Sequence, residues 1–126
     1  MPETTIWLAL GALNGFLGVG LGALGAHGLA TVLDAQQAAW FHKATYYQEL
    51  HALALLATGL WLRQEPGRRL LHWAGAAFAL GVLWFCGGLY ILALGGARGW
   101  GLVVPFGGVA FLLGWGLLAV AALRRA

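Results

Sequence analysis

Long apolar runs, separated by short polar ones, make up nearly all of this chain. They cover Thr5–Ala26, Ala44–Leu62, His72–Leu94 and Pro105–Leu123. A helix that crosses a bilayer needs about 20 mostly apolar residues. The pattern therefore predicts an all-α fold, an integral membrane bundle of four transmembrane helices. Residues His27–Lys43, Arg63–Leu71 and Gly95–Val104 connect them. Connections this short make consecutive helices antiparallel neighbours. Residues 1–126 are expected to form a single transmembrane domain.

The second helix is expected to start before its apolar run. Asp34 and Gln37 have the spacing of a capping box, with Asp34 as N-cap and Gln37 reaching back from the third helical position. The helix then runs from Ala35 to about Leu62, and Trp40 and Phe41 meet the outer interface. Leu29, Val32 and Leu33 fit a short surface segment ahead of it. The first run reads as a retained span rather than a signal peptide. Met1–Thr5 has no Lys or Arg, and the apolar run outlasts a signal-peptide core.

Composition narrows the class further. Of the 126 residues, 61% are hydrophobic and 9% charged, too few charges to cover a soluble domain but enough for a membrane bundle. The net charge of +3 comes from basic residues at helix ends, which points to lipid head groups rather than nucleic acid. Arg63, Arg68, Arg69, Arg124 and Arg125 fall on one side, Lys43 and Arg98 on the other. The positive-inside rule then puts both termini in the cytoplasm. Trp7, Trp40, Trp61, Trp73 and Trp100 fall near predicted helix ends, as an interfacial belt requires. Trp84 and Trp115 fall mid-span and are expected to pack inside the bundle or face lipid. The one cysteine, Cys86, excludes an intramolecular disulfide.

Gly11, Gly15, Gly18, Gly22 and Gly25 recur at spacings that put all five on one face of the first helix. A face without side chains lets another helix backbone approach closely. Weaker small-residue stripes recur at Ala74, Gly81 and Gly88, and at Gly107, Gly114 and Ala121. Packing within one bundle and a homo-oligomer interface both fit this periodicity.

Polar residues inside the apolar runs are the candidates for function. Asn14 lies beside the glycine face, and its default role is a hydrogen bond to a neighbouring helix. In the second helix, Gln48, Glu49 and His51 fall at the outer end of the apolar run. His42, Tyr46 and Glu49 share one helical face, and Tyr47 and His51 share another. Three roles fit the cluster: hydrogen bonds to loops and neighbouring helices, a proton or solute path through Glu49 and His51, or a metal held by His27, His42, His51 and Glu49. No ligand spacing of the HxxxH kind supports the metal, so no metal or cofactor is assigned. His72 reads as a residue of the opposite helix end. Phe85-Cys86-Gly87-Gly88-Leu89-Tyr90 is an irregular spot whose paired glycines permit close contact or a kink. Tyr90 is within reach of the second-helix cluster. Pro105 suits a first helical turn. No nucleophile elbow, phosphate loop or paired-carboxylate site is present, so the chain is not expected to be an enzyme.

Several of these segments carry a family likeness. The chain resembles the domain-of-unknown-function 423 family of small inner-membrane proteins and is more distantly similar to eukaryotic transmembrane protein 256. The likeness rests on Gly22-Ala23-Leu24-Gly25-Ala26-His27, Tyr47-Gln48 with His51, Phe85-Cys86-Gly87-Gly88-Leu89-Tyr90, Pro105-Phe106-Gly107-Gly108 and Gly114-Trp115. The family's third-span motif usually reads Phe-Ser-Gly-Ser-Leu-Tyr, and Cys86 and Gly88 replace its serines here. Val104 stands where Thr is common, and Glu49 lies outside the family motif. The resemblance implies four membrane helices in a bacterial inner membrane and favours His27, Gln48, His51 and Tyr90 as site residues. It implies no activity.

The expected function is a small non-enzymatic membrane protein that associates with lipid, with itself or with a partner through glycine-rich faces. The alternative is a proton, ion or small-solute transporter or channel using Gln48, Glu49, His51 and Asn14.

Overall fold

The computed structural model describes residues 2–124. Met1, Ala126 and Arg125, the last of the basic residues counted above, lie outside the described residues. Four helices run through the described part, with no strand among them. The first, α1, spans Glu3–Ala23 and continues as a π-helical turn over Leu24–Gly28. Next comes α2, Ala35–Gln64. The third, α3, spans Arg69–Gly81, passes through a π-helical turn over Val82–Cys86 and resumes as α-helix over Gly87–Ala93. A 3-10 turn over Arg98–Leu102 leads into α4, Val104–Leu123.

The start of α2 follows from local chemistry. The Gln37 amide donates to Asp34 Oδ1 at 2.8 Å, and the Asp34 amide donates to Gln37 Oε1 at 3.0 Å. Two donors that a helix start leaves unmatched are thereby satisfied, as the spacing predicts. Pro105 occupies the first turn of α4, where its missing N–H costs nothing. Gly67 and Gly95 turn the chain with positive φ, 80° and 92°, a conformation that side chains resist.

α1, α3 and α4 are each long and apolar enough to cross a membrane. α2 is longer than any of them but carries Gln48, Glu49, His51 and Lys43, and it does not meet the same standard of apolarity. It is also the central helix, touching both α1 and α3. α1 packs chiefly on α2, and α4 chiefly on α3. The core lies around α2 and α3, where Leu55, Leu62, Leu71 and Phe78 are fully buried. The outer faces of α1 and α4 are apolar and open: Phe16 is 77% exposed and Leu112 73%.

Glycines set the approach of both helix pairs. A Cβ added at Gly11 would stand 2.8 Å from Leu56 Cγ and 2.9 Å from the Ala52 carbonyl oxygen of α2. At Gly25 it would meet the Phe41 ring at 2.7 Å. At Gly114 it would meet Phe78 at 2.5 Å, and at Gly88 the Val104 methyl at 2.8 Å. Gly81 lies against the Phe111 ring and Gly107 against the backbone of Phe85. That last contact falls in the second π-helical turn, where the helix widens and shifts its register by one residue. Gly15 and Gly22 leave room for a methyl group.

Candidate functional site

Gln48, on α2, is buried. Its side-chain nitrogen donates to Asn14 Oδ1 of α1 at 3.0 Å, and its oxygen accepts from the Tyr90 hydroxyl of α3 at 2.6 Å. Asn14 in turn donates to the Leu10 carbonyl of its own helix at 2.9 Å. One amide thus ties three helices together. An unpaired amide in hydrocarbon costs several kcal/mol, so each member of this line holds the next in place. Gln48 lies about 20 Å from the first residue of α2 by helical rise, near the helix midpoint. Both Gln48 and Glu49 are level with Gly18, in the last third of α1. The sequence put this cluster at the outer end of an apolar run. The fold puts it near the midpoint of α2, whose start at Ala35 is the one read from the capping spacing.

His51, nearly one turn after Gln48, faces α3 and α4. It is 2% exposed, and its Nε2 accepts the indole N–H of Trp115 at 3.0 Å. Its Nδ1 lies 2.8 Å from the Tyr47 carbonyl oxygen. An indole nitrogen only donates and a carbonyl only accepts, so the ring is neutral, with its hydrogen on Nδ1. The imidazole stacks on Phe111 at 3.6 Å between centroids, with planes 9° apart, and Phe78 and Trp115 close the other sides. Trp115 links α4 to α2 while its ring is 44% exposed.

Glu49 does not join His51. Residues two apart on a helix point about 200° from one another, so a relay through both side chains has no geometric basis. Glu49 is exposed on the face toward α1 and forms no hydrogen bond or ion pair with the described residues. It lies at the floor of a groove of about 430 Å³ that also includes Gly22, Gly25, Phe41, His42, Thr45 and Tyr46. The shared face read for His42, Tyr46 and Glu49 is one wall of this groove. His27 is exposed on the π-helical turn and does not line it. Among the described residues, no three His, Cys, Asp or Glu side chains converge as a metal site would require.

A second polar chain closes the opposite end of the bundle. Trp7 Nε1 donates to His72 Nδ1 at 3.2 Å, and His72 Nε2 lies 2.7 Å from Glu3 Oε2. Glu3 Oε1 accepts the Gly67 amide at 2.8 Å. Arg68 donates to Glu65 and to the Ala121 carbonyl of α4. The start of α1, the α2–α3 turn and the end of α4 therefore meet at one end. Sequence reasoning left His72 and Trp7 as separate helix-end residues. Both stand near the start of a predicted span on the same side of the membrane, Trp7 two residues after Thr5 and His72 at the first position of its run, and that was the available signal.

No solved structure matches the chain. A UPF0382 membrane protein of Staphylococcus epidermidis is 41% identical over 96% of this chain and 98% of its own length. One from Staphylococcus saprophyticus is 42% identical over 91% of this chain and 94% of its own. The UPF0382 inner membrane protein YgdD of Escherichia coli strain K12 is 40% identical over 93% of this chain and 88% of its own. Residues 21–108 match the family described as protein of unknown function DUF423. That match holds Gln48, His51, Tyr90 and Gly81, Gly88 and Gly107 of the α3–α4 contact, and with relatives at this identity over nearly the full length the chain belongs to the DUF423 family of small membrane proteins.

Proposed function

We propose that this is a non-enzymatic protein of the bacterial inner membrane, a single domain of four spans with both ends cytoplasmic, whose glycine faces and polar side chains serve helix association. The observation that carries this reading is the pairing at the bundle centre. Asn14, Gln48 and Tyr90 satisfy one another, and His51 is held at both nitrogens. α2 can thus lie in lipid among three apolar helices although its own sequence is less apolar. Arg63, Arg68, Arg69 and Arg124 at one end, against Lys43 and Arg98 at the other, support the orientation. The name of the E. coli relative supports the inner membrane. The Gly11–Gly25 face is occupied by α2 of the same chain, which supports packing within one bundle. The open apolar faces of α1 and α4 are left for lipid or a second copy. Native mass spectrometry from lipid nanodiscs tests the reading, on wild type beside Gln48→Ala and His51→Ala. Retained lipid, with no other ligand lost in the variants, supports it. A solute lost with either residue overturns it.

The second reading is transport of a proton, an ion or a small solute. One observation favours it: Glu49 lines an open groove and has no hydrogen bond or ion pair among the described residues. Proteoliposomes that show no flux between pH 5 and 8 would rule out proton movement.

A further inference from the structure

The groove between α1 and α2 joins two features that bundle packing does not explain. At its mid-helix end stands a carboxylate, and its other end reaches the α1–α2 connection, on the far side of the bundle from Arg68. By helical rise Glu49 lies about 18 Å from Trp61 and about 21 Å from the start of α2. From Glu49 the wall climbs through Tyr46, Thr45 and His42, about 10 Å in all, to Leu29, Ala30, Leu33 and Ala38. The facing wall is Gly22, Gly25 and Ala26. Space there exists because Gly22 lacks a side chain: a Cβ at Gly22 would stand 3.6 Å from Glu49 Oε1.

We propose that the groove binds an organic ammonium group carried on a small apolar body, with Glu49 as its counter-ion. A carboxylate this far from bulk water is costly when unpaired. A cation with N–H donors supplies charge and hydrogen bonds together. The groove's volume is within the range of small-molecule sites, which are mostly apolar with a few placed polar groups. Phe41 and Tyr46 offer aromatic surface to a cation, and Thr45 offers a hydroxyl. A metal ion fits poorly, since Glu49 is the one carboxylate in the lining and metal ions of the hard class want several oxygen ligands. An anion is opposed by Glu49 itself. The Asn14–Gln48–Tyr90 line borders the groove without lining it: Phe41, which lines it, packs its ring against Tyr90 at 5.2 Å between centroids. The proposal rests on the open groove that favours the second reading but does not require transport.

The test is equilibrium binding of benzylamine to the full chain in nanodiscs, beside its neutral counterpart benzyl alcohol. Wild type is expected to bind benzylamine saturably and at least tenfold more tightly than the alcohol. Glu49→Gln, which keeps the shape and breaks no hydrogen bond, is expected to abolish that preference. Gly22→Leu fills the groove with Glu49 intact and is expected to abolish binding. Gln48→Ala is expected to retain it. Equal affinity for amine and alcohol, a preference that survives Glu49→Gln, or no binding to wild type overturns the proposal. Binding in nanodiscs without flux in proteoliposomes keeps the site and removes the transport reading alone.

Discussion

Gln48 donates to Asn14 across the α1–α2 contact at 3.0 Å while its oxygen accepts from Tyr90 at 2.6 Å. Gln48 and Asn14 are therefore not equal in consequence. Asn14→Leu removes one acceptor from Gln48 and is expected to cost about 1 kcal/mol, the usual worth of an interhelical hydrogen bond in a membrane. Gln48→Leu strands both Asn14 and the Tyr90 hydroxyl and is expected to cost about 2–3 kcal/mol, because the loss includes the desolvated partners. A double-mutant cycle in detergent or bicelle unfolding measures the pair directly. A coupling near zero would mean that the bond does not hold the helices.

The two nitrogens of His51 have fixed partners, Tyr47 and Trp115. The ring is expected to carry its hydrogen on Nδ1, and nitrogen NMR of labelled histidine distinguishes this from the other tautomer. Trp115→Phe removes the indole donor while keeping an aromatic ring against Phe78. The expected result is a changed Nε2 shift and a loss of about 1 kcal/mol. An unchanged spectrum would show that Trp115 does not reach the imidazole.

How far sequence could see depended on range. The Asp34–Gln37 cap lies within one turn, and its spacing alone described it. The same holds for the glycine face of α1 and for the His42–Tyr46–Glu49 wall, since helix periodicity fixes both. Partners across helices were another matter. Nothing local says that Gln48 turns to Asn14 and Tyr90, or that His51 turns to Trp115, because those pairs depend on the rotation and height of separate helices. Glu49 and His51 are two residues apart, and helical twist sends them to opposite sides of α2, in keeping with the separate faces that periodicity assigns them. The π-helical turn at Val82–Cys86 was visible only as an odd glycine pair just beyond it.

Trp7 has both a packing role and a polar one. Its ring covers Gly75 of α3, where an added Cβ would meet it at 2.6 Å, and its indole nitrogen reaches His72. Trp7→Phe keeps most of the ring and is expected to cost about 1 kcal/mol for the lost bond. Trp7→Ala empties the contact and is expected to cost about 3–5 kcal/mol. Thermal unfolding of the purified protein separates these two. Equal losses would mean that the bond to His72, not the ring, carries the contact.

The five glycines of α1 look equivalent by spacing but differ in what stands opposite. At Gly11 the obstacle is largely backbone, the Ala52 carbonyl and the Leu56 amide, each 2.9 Å from an added Cβ. Backbone cannot swing aside, so Gly11→Ala must push α1 off α2 and is expected to cost about 2–3 kcal/mol as an overpacked contact. At Gly18 the near atom is Glu49 Cγ at 2.7 Å, and the nearest backbone is 3.6 Å away. An exposed, unpaired side chain can rotate, so Gly18→Ala is expected to cost less than 1 kcal/mol. At Gly15 an added Cβ would only touch Ala52 Cβ at 3.9 Å. There the methyl gains a contact and stiffens the helix, and Gly15→Ala is expected to be neutral or to stabilise by a few tenths of a kcal/mol. Unfolding midpoints of the three variants should therefore fall in the order Gly15→Ala, Gly18→Ala, Gly11→Ala, from most to least stable. Three equal losses would mean that the whole face meets another surface, as in a homo-oligomer, rather than α2 of the same chain.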